Sequence, residues 1–306
     1  MPSVGWVRFV MLAAMGKAIR KNCTVSIVGP GNLGTALAAN LTRIGHEIKF
    51  LVVRPTLRVP KETTALARRV KANVVTLGET VLDADLLWIT VPDDTLAAVA
   101  AQLAPTRSWR GCTIFHSSGA LTSEALSPLR RKGAKVASVH PGMTFVRKST
   151  PRLAGVPFAV EGDAAAVRLA RQIVRELGGT AYPITARNKV LYHAFGTFAS
   201  PMVIALMTTL EQVGKAAGIK PSDLRTMAAP LLRQTLDNYL EHGAAAAFSG
   251  PLVRGDVMTV RRHLIALRKV PQARRVYLAL ANSVVRELPV KNRTEMKREL
   301  RQSAGA

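Results

Sequence analysis

The chain has 306 residues, 48% of them hydrophobic, and 43 Lys and Arg against 19 Asp and Glu give it a net charge of +24. The length allows two domains of ordinary size, and the apolar content excludes a disordered chain. No uninterrupted apolar run approaches the roughly 18 residues that a membrane-spanning helix needs, so no such helix is expected.

Residues 1–22 read as a loose N-terminal extension. Their apolar stretch, residues 6–15, precedes Lys17, Arg20 and Lys21, the reverse of a secretory leader, so a cytoplasmic protein is expected. Cys23 and Cys112 belong to no CxxC or metal-ligand spacing and read as buried free thiols. The positive charge is spread along the chain. Residues 183–306 carry +11 and the remainder +13, with no basic run interleaved with aromatics. Specific nucleic-acid binding is therefore not expected, whereas anionic small ligands suit the charge.

From residue 23 to residue 184, strand and helix patterns alternate, which predicts an α/β domain with a doubly wound parallel sheet. The strands are expected at 24–28, 48–53, 74–77, 85–91, 112–115, 136–139, 156–160 and 180–184. The helices between them are expected at 33–44, 61–70, 96–103, 123–131 and 164–177. From 185 to 306 the strand signals stop. Helices are predicted over 189–217, interrupted at Pro201, and over 221–242, 259–267, 271–288 and 293–301, with 250–256 as a loop. This helical part is expected to carry substrate and dimer contacts.

Gly29-Pro30-Gly31-Asn32-Leu33-Gly34 is a GxGxxG between a strand and a helix. Its first glycine permits the tight turn, its second lets backbone approach a pyrophosphate, and its third lets helix pack on strand, with the helix N-terminus facing the phosphates. Gly29, Gly31, Asn32, Leu33 and Gly34 are thus expected to bind a dinucleotide. Arg54 stands 20 residues past Gly34, where an NAD enzyme carries an acid for the ribose hydroxyls. With Arg58 nearby, a guanidinium there suits the 2′-phosphate of NADP(H). Val91 and Pro92 close a strand on the same carboxyl edge, and Asp94 or Thr95 is expected to cap the helix that follows.

His116-Ser117-Ser118-Gly119 and His140-Pro141-Gly142 leave successive strands at that edge. His116, Ser117 and Gly119 are expected near the cofactor, and His140 near the substrate. A metal site is not expected, because the six histidines show no ligand spacing. Lys189 and His193 stand at i and i+4 at the start of the first long helix, next to Tyr192, and share a face. Reducing a carbonyl needs a proton donor, and His193, Lys189 and His140 are the candidates. In the glycine-rich segment 250–256, Arg254 suits a substrate carboxylate and Asp256 is its neighbour, with a helix cap as the other reading for the latter.

Taken together, GPGNLG, HSSGA at 116–120, HPGMTF at 140–145, YHAF at 192–195 and GPLVRGD at 250–256 followed by His263 resemble the Rossmann-like and DUF2520 domain-containing proteins. The resemblance runs from about Thr24 to about Leu280. It implies an architecture similar to pyrroline-5-carboxylate reductase and ketopantoate reductase: a Rossmann domain followed by a helical domain of the 6-phosphogluconate dehydrogenase C-terminal type. The family often has Asn near position 200, where this chain has Ser200-Pro201. The expectation is an NADPH-dependent oxidoreductase that reduces a small 2-oxo acid or a cyclic imine, acting as a homodimer without a membrane. The alternative is a non-catalytic NADP(H)-binding sensor or scaffold.

Overall fold

The computed structural model describes residues 23–55, 58–146 and 149–305, so the extension expected over 1–22 lies outside the described residues. The chain divides into two compact units, residues 1–196 and 197–306. The first unit therefore runs 12 residues past the boundary expected at 184.

In the first unit the order is β1 (Thr24–Val28), α1 (Asn32–Arg43), β2 (Glu47–Val53), α2 (Lys61–Val70), β3 (Asn73–Thr76), β4 (Leu86–Ile89), α3 (Asp93–Leu103) and β5 (Thr113–His116). A 3-10 turn, Ser123–Leu126, then leads into α4 (Ser127–Arg131), followed by β6 (Lys135–Pro141), β7 (Pro157–Gly162), α5 (Ala164–Glu176) and β8 (Thr180–Pro183). The eight strands form one sheet in the order β3-β2-β1-β4-β5-β6-β7-β8. The first six are parallel, but β7 runs antiparallel to β6, and β8 is parallel to β7. The expected doubly wound parallel sheet is present, with one antiparallel pairing, β6 with β7, toward this edge. Parallel neighbours need a crossover, usually helical, and the connection between β6 and β7 carries no helix among its described residues.

Two apolar cores cover the two faces of the sheet. One gathers Val25, Ile27, Trp88, Phe115 and Phe158 with the buried sides of α1 and α5. The other gathers Leu87, Ile89, Ile114 and Trp109 with α3 and α4. Leu86, Leu87, Trp88 and Ile89 are all fully buried, as a central strand covered on both faces requires. Cys23 and Cys112 are buried free thiols, each pushed up to about 11 chiefly by burial.

The helix α6 (Lys189–Ala199) begins in the first unit. The second unit holds α7 (Pro201–Ala216), α8 (Leu224–Ala247), α9 (Pro251–Arg254), α10 (Val257–Ala266), α11 (Pro271–Glu287) and α12 (Arg293–Ala304). Ser200 leaves helical geometry, and Pro201 restarts the helix at its first position, where a missing N–H costs nothing. The segment 250–256, expected as a loop, contains the single turn α9. Pro251 starts that turn, and Gly250 and Gly255, at φ 102° and 66°, bend the chain on either side. Val257, Val260, Leu264, Leu278, Val285, Met296 and Leu300 form this unit's core.

The run Ala186–Ala216 is long and apolar enough to cross a membrane by length and composition. Counting uninterrupted apolar residues misses it, because glycine, threonine, serine and proline punctuate it. Its side chains are largely exposed, with Leu191 and Phe198 at 74% and 73%.

Candidate active site

The turn after β1 is built for close approach. Gly29 takes φ +80°, and its N–H donates to the Val52 carbonyl at 2.9 Å. A β-carbon at Gly34 would stand 2.6 Å from Thr90 Oγ1 and 2.7 Å from the Gly29 carbonyl, so only glycine lets α1 reach the sheet. A β-carbon at Gly31 would meet nothing within 4 Å, so this glycine faces open space. Gly31 is also the residue preceding α1, which has neither a side-chain cap nor an acid in its first turn. Its first N–H groups are thus left for an anion, and the turn fits a pyrophosphate. The Asn32 side chain donates to the Phe145 carbonyl at 3.1 Å, and Leu33 packs on the core. Exposed Arg54 follows β2 at the same carboxyl edge, and half-buried Val91 follows β4 and walls Gly29.

At the end of β5 the expectations need correction. His116 does not present its ring to a ligand. The ring is fully buried, Nε2 lies 3.1 Å from the Thr122 carbonyl, and Nδ1 accepts from the Ser118 N–H at 3.1 Å. Burial and the neighbouring Lys189 charge hold His116 down at about 3, so it is neutral. The Ser117 hydroxyl is also taken: it accepts from the Trp88 indole at 2.8 Å and donates to the Val139 carbonyl at 2.9 Å. Both side chains serve the core of a strand covered on both faces. The expected cap of α3 is also absent. The helix starts three residues earlier, at Asp93 after Pro92, without a side-chain cap, and Asp93 instead accepts from the Ser118 hydroxyl at 2.7 Å.

Beyond β5 and β6 four residues converge. His140 Nδ1 lies 2.8 Å from the Tyr192 hydroxyl, with the rings edge to face. The His193 ring stands perpendicular to that of His140 at 6.1 Å between centroids. Gly119 lies beneath both: a β-carbon there would be 2.5 Å from His193 Cδ2 and 2.9 Å from His140 Nε2. Burial, then the Lys189 charge, then His193, lower His140 to about 4. Lys189 is fully buried, and its Nζ has no hydrogen-bond partner among the described residues. Burial lowers its pKa, opposed by Glu161 and Asp93. Glu161 is itself buried, accepting from the Ser123 N–H at 2.6 Å and the Ser123 hydroxyl at 2.9 Å. Lys189 and His193, expected to share a helix face, differ sharply, since the lysine is enclosed and the histidine exposed.

Tyr192, Asp93 and Glu161 were not among the candidate site residues. Tyr192 follows Lys189 by three positions, which puts it on the same helix side. Glu161 interrupts the otherwise apolar Phe158-Ala159-Val160 run of β7, and an acid in a buried strand signals a partner.

Arg254 and Asp256 belong to the second unit. Arg254 is exposed at the end of α9. The Asp256 carboxylate accepts from the Thr259 N–H at 3.0 Å and caps α10, and that bond holds it below the usual carboxylate range. The substrate role expected of Asp256 gives way to this cap, because the carboxylate satisfies an orphan helix donor. His263 Nδ1 lies 3.2 Å from the Tyr277 hydroxyl.

The chain is similar over 169 residues to a ketol-acid reductoisomerase (NADP(+)) from Kocuria rhizophila, 31% identical, over 53% of this chain. The match spans 48% of that curated relative, about half its length. Among solved structures, a candidate NADP oxidoreductase from Bacteroides fragilis superposes with a TM-score of 0.70 at 20% identity, over 86% of this chain and 98% of that one. An imine reductase from Myxococcus stipitatus, in complex with NADP+, gives 0.60 at 16% identity, over 85% and 91%. At these identities the likeness is one of fold. The family description "Rossmann-like domain" matches residues 14–141, and "Domain of unknown function (DUF2520)" matches residues 156–284. The glycine turn and parallel strands of the first match, and the helices of the second, meet in one polypeptide, and the chain belongs to the family of Rossmann-like and DUF2520 domain-containing proteins.

Proposed function

We propose that the protein is an NADPH-dependent oxidoreductase that reduces the C=O or C=N bond of a small 2-oxo acid or cyclic imine. The observation that carries this is the shared sheet edge. The glycine turn after β1 and the polar cluster after β5 and β6 both stand at the carboxyl ends of neighbouring parallel strands, where open α/β sheets bind ligands. The relatives named as NADP enzymes support the cofactor, and their reactions support the class.

In this reading Gly29, Gly31 and Gly34 admit the pyrophosphate, the N-terminus of α1 faces it, and Arg54 takes the 2′-phosphate. The bound cofactor supplies a hydride. His140, Lys189 and His193 supply the acid–base environment that takes up the charge developing on the substrate heteroatom. Burial keeps His140 and His116 neutral, and Lys189 adds to it as a buried charge. The exposed apolar side of α6 and α7 is proposed to be covered by a second copy of the chain, giving a homodimer.

The test is NADPH consumption by the purified protein against a panel of 2-oxo acids and cyclic imines. Turnover of any member supports the reading. NADPH binding with no turnover favours a sensor or scaffold, and no binding removes the cofactor assignment itself.

A further inference from the structure

We propose that the Tyr192 hydroxyl delivers the proton to the reduced substrate and that His140 resupplies it, an inference that rests on the reductase reading above. Besides the acids Asp93 and Glu161, which accept from Ser118 and Ser123, four titratable groups surround Tyr192 in this corner of the first unit, and two of them cannot reach a substrate. The His116 ring is buried with both nitrogens engaged. Lys189 is enclosed by protein. His140 is neutral around pH 7, and its Nδ1 is already paired with Tyr192. That leaves His193 and Tyr192, and the tyrosine is joined at 2.8 Å to a group that can return its proton.

The chemistry of the pair suits the task. Burial raises the Tyr192 phenol above its ordinary range, so the hydroxyl keeps its proton throughout the neutral range. Half-buried, it stays on hand for a ligand at the sheet edge. With a hydrogen on His140 Nδ1, the imidazole donates to the Tyr192 oxygen and leaves the phenolic O–H aimed outward.

The step balances. As the substrate carbon accepts hydride from the bound cofactor, the π pair of the C=O or C=N bond moves onto the heteroatom. The heteroatom takes the Tyr192 proton and the phenolic O–H bond breaks. The phenolate takes the Nδ1 hydrogen of His140 while a solvent proton adds at Nε2, so the ring stays neutral and only its tautomer changes. One solvent proton is consumed per turnover, and exchange with solvent resets the ring.

The experiment compares wild type, Tyr192→Phe and His193→Ala in the single-turnover rate of NADPH oxidation with a turned-over panel member, together with NADPH affinity by fluorescence and melting temperature. Tyr192→Phe is expected to slow the rate by about 10²-fold or more, the scale of a positioned acid, with affinity and melting temperature unchanged. The wild-type rate is expected to stay level from about pH 6 to 8, because an imidazolium donor would instead lose its proton near pH 6.5. His140→Gln, which keeps the tyrosine and breaks the resupply, is expected to slow repeated turnover more than the first one. A Tyr192→Phe variant as fast as wild type overturns the proposal and leaves the reductase reading standing, as does a wild-type rate that falls through that pH range and is abolished in His193→Ala. Equal losses of rate and NADPH affinity in Tyr192→Phe overturn it too, by placing the residue in the cofactor site. Absence of wild-type turnover across the panel overturns the reductase reading, and the inference with it.

Discussion

Gly119 lies so close to His193 that a β-carbon on it would come within 2.5 Å of the ring Cδ2, and within 2.9 Å of His140 Nε2. Two imidazoles can gather there only because this residue has no side chain. Gly119→Ala should therefore displace both rings. Overpacking of a close-packed site costs about 1–3 kcal/mol, so a modest fall in melting temperature is expected, with a larger proportional loss of turnover. An alanine variant with wild-type rate would show that the position of the two rings does not matter to the reaction.

Arg54 replaces the acid that reads ribose hydroxyls in NAD enzymes. Purified protein is expected to bind NADPH at least about tenfold more tightly than NADH, a difference of about 1.4 kcal/mol. Arg54→Asp should narrow or reverse that gap. Equal wild-type affinities in a fluorescence titration would remove the assignment of Arg54.

The glycine turn was legible in the sequence because its signals are local: a strand, three glycines at fixed spacing and a helix lie within about a dozen residues. The cluster beyond β5 and β6 was legible only in part. His140 and His193 announce themselves as histidines at element ends, but the His140–Tyr192 bond joins residues 52 apart. The acids whose charges act on buried Lys189, Glu161 and Asp93, arrive from other elements, which no spacing encodes. His116 was misread because a histidine at the end of a strand looks the same whether its ring turns inward or outward. The antiparallel β7 was missed for a similar reason, since strand direction depends on the connection and not on the strand's own residues.

Stability should fall on mild acidification. His116 and His140 are held at about 3 and about 4, below the ordinary histidine value of about 6.5. The unfolded chain therefore binds more protons than the folded one once the pH drops below about 6.5, and stability falls from there toward the folded values. At pH 5 each ring costs about 2 kcal/mol, from about 1.4 kcal/mol per pH unit below 6.5. Urea midpoints measured between pH 7 and 5, above the range where carboxylates titrate, should drop steadily. A midpoint flat over that interval would mean that the two rings are not buried neutral.

The exposed apolar side of α6 and α7 predicts a homodimer at micromolar concentration in light scattering. Phe198→Glu, at one of the most exposed apolar positions, should yield monomer. A wild-type monomer that stays in solution without detergent would remove the dimer, and recovery only with membranes or detergent would assign the face to lipid.

The central claim is that this protein reduces a small C=O or C=N bond with NADPH. The most direct measurement is mass spectrometry of the products that form when wild-type protein is incubated with the panel and NADPH deuterated at the transferable C4 position. The account predicts one deuterium on the former carbonyl or imine carbon of at least one 2-oxo acid or cyclic imine. NADPH that binds while no panel member gains deuterium would contradict it, and would leave a protein that holds the cofactor without using it.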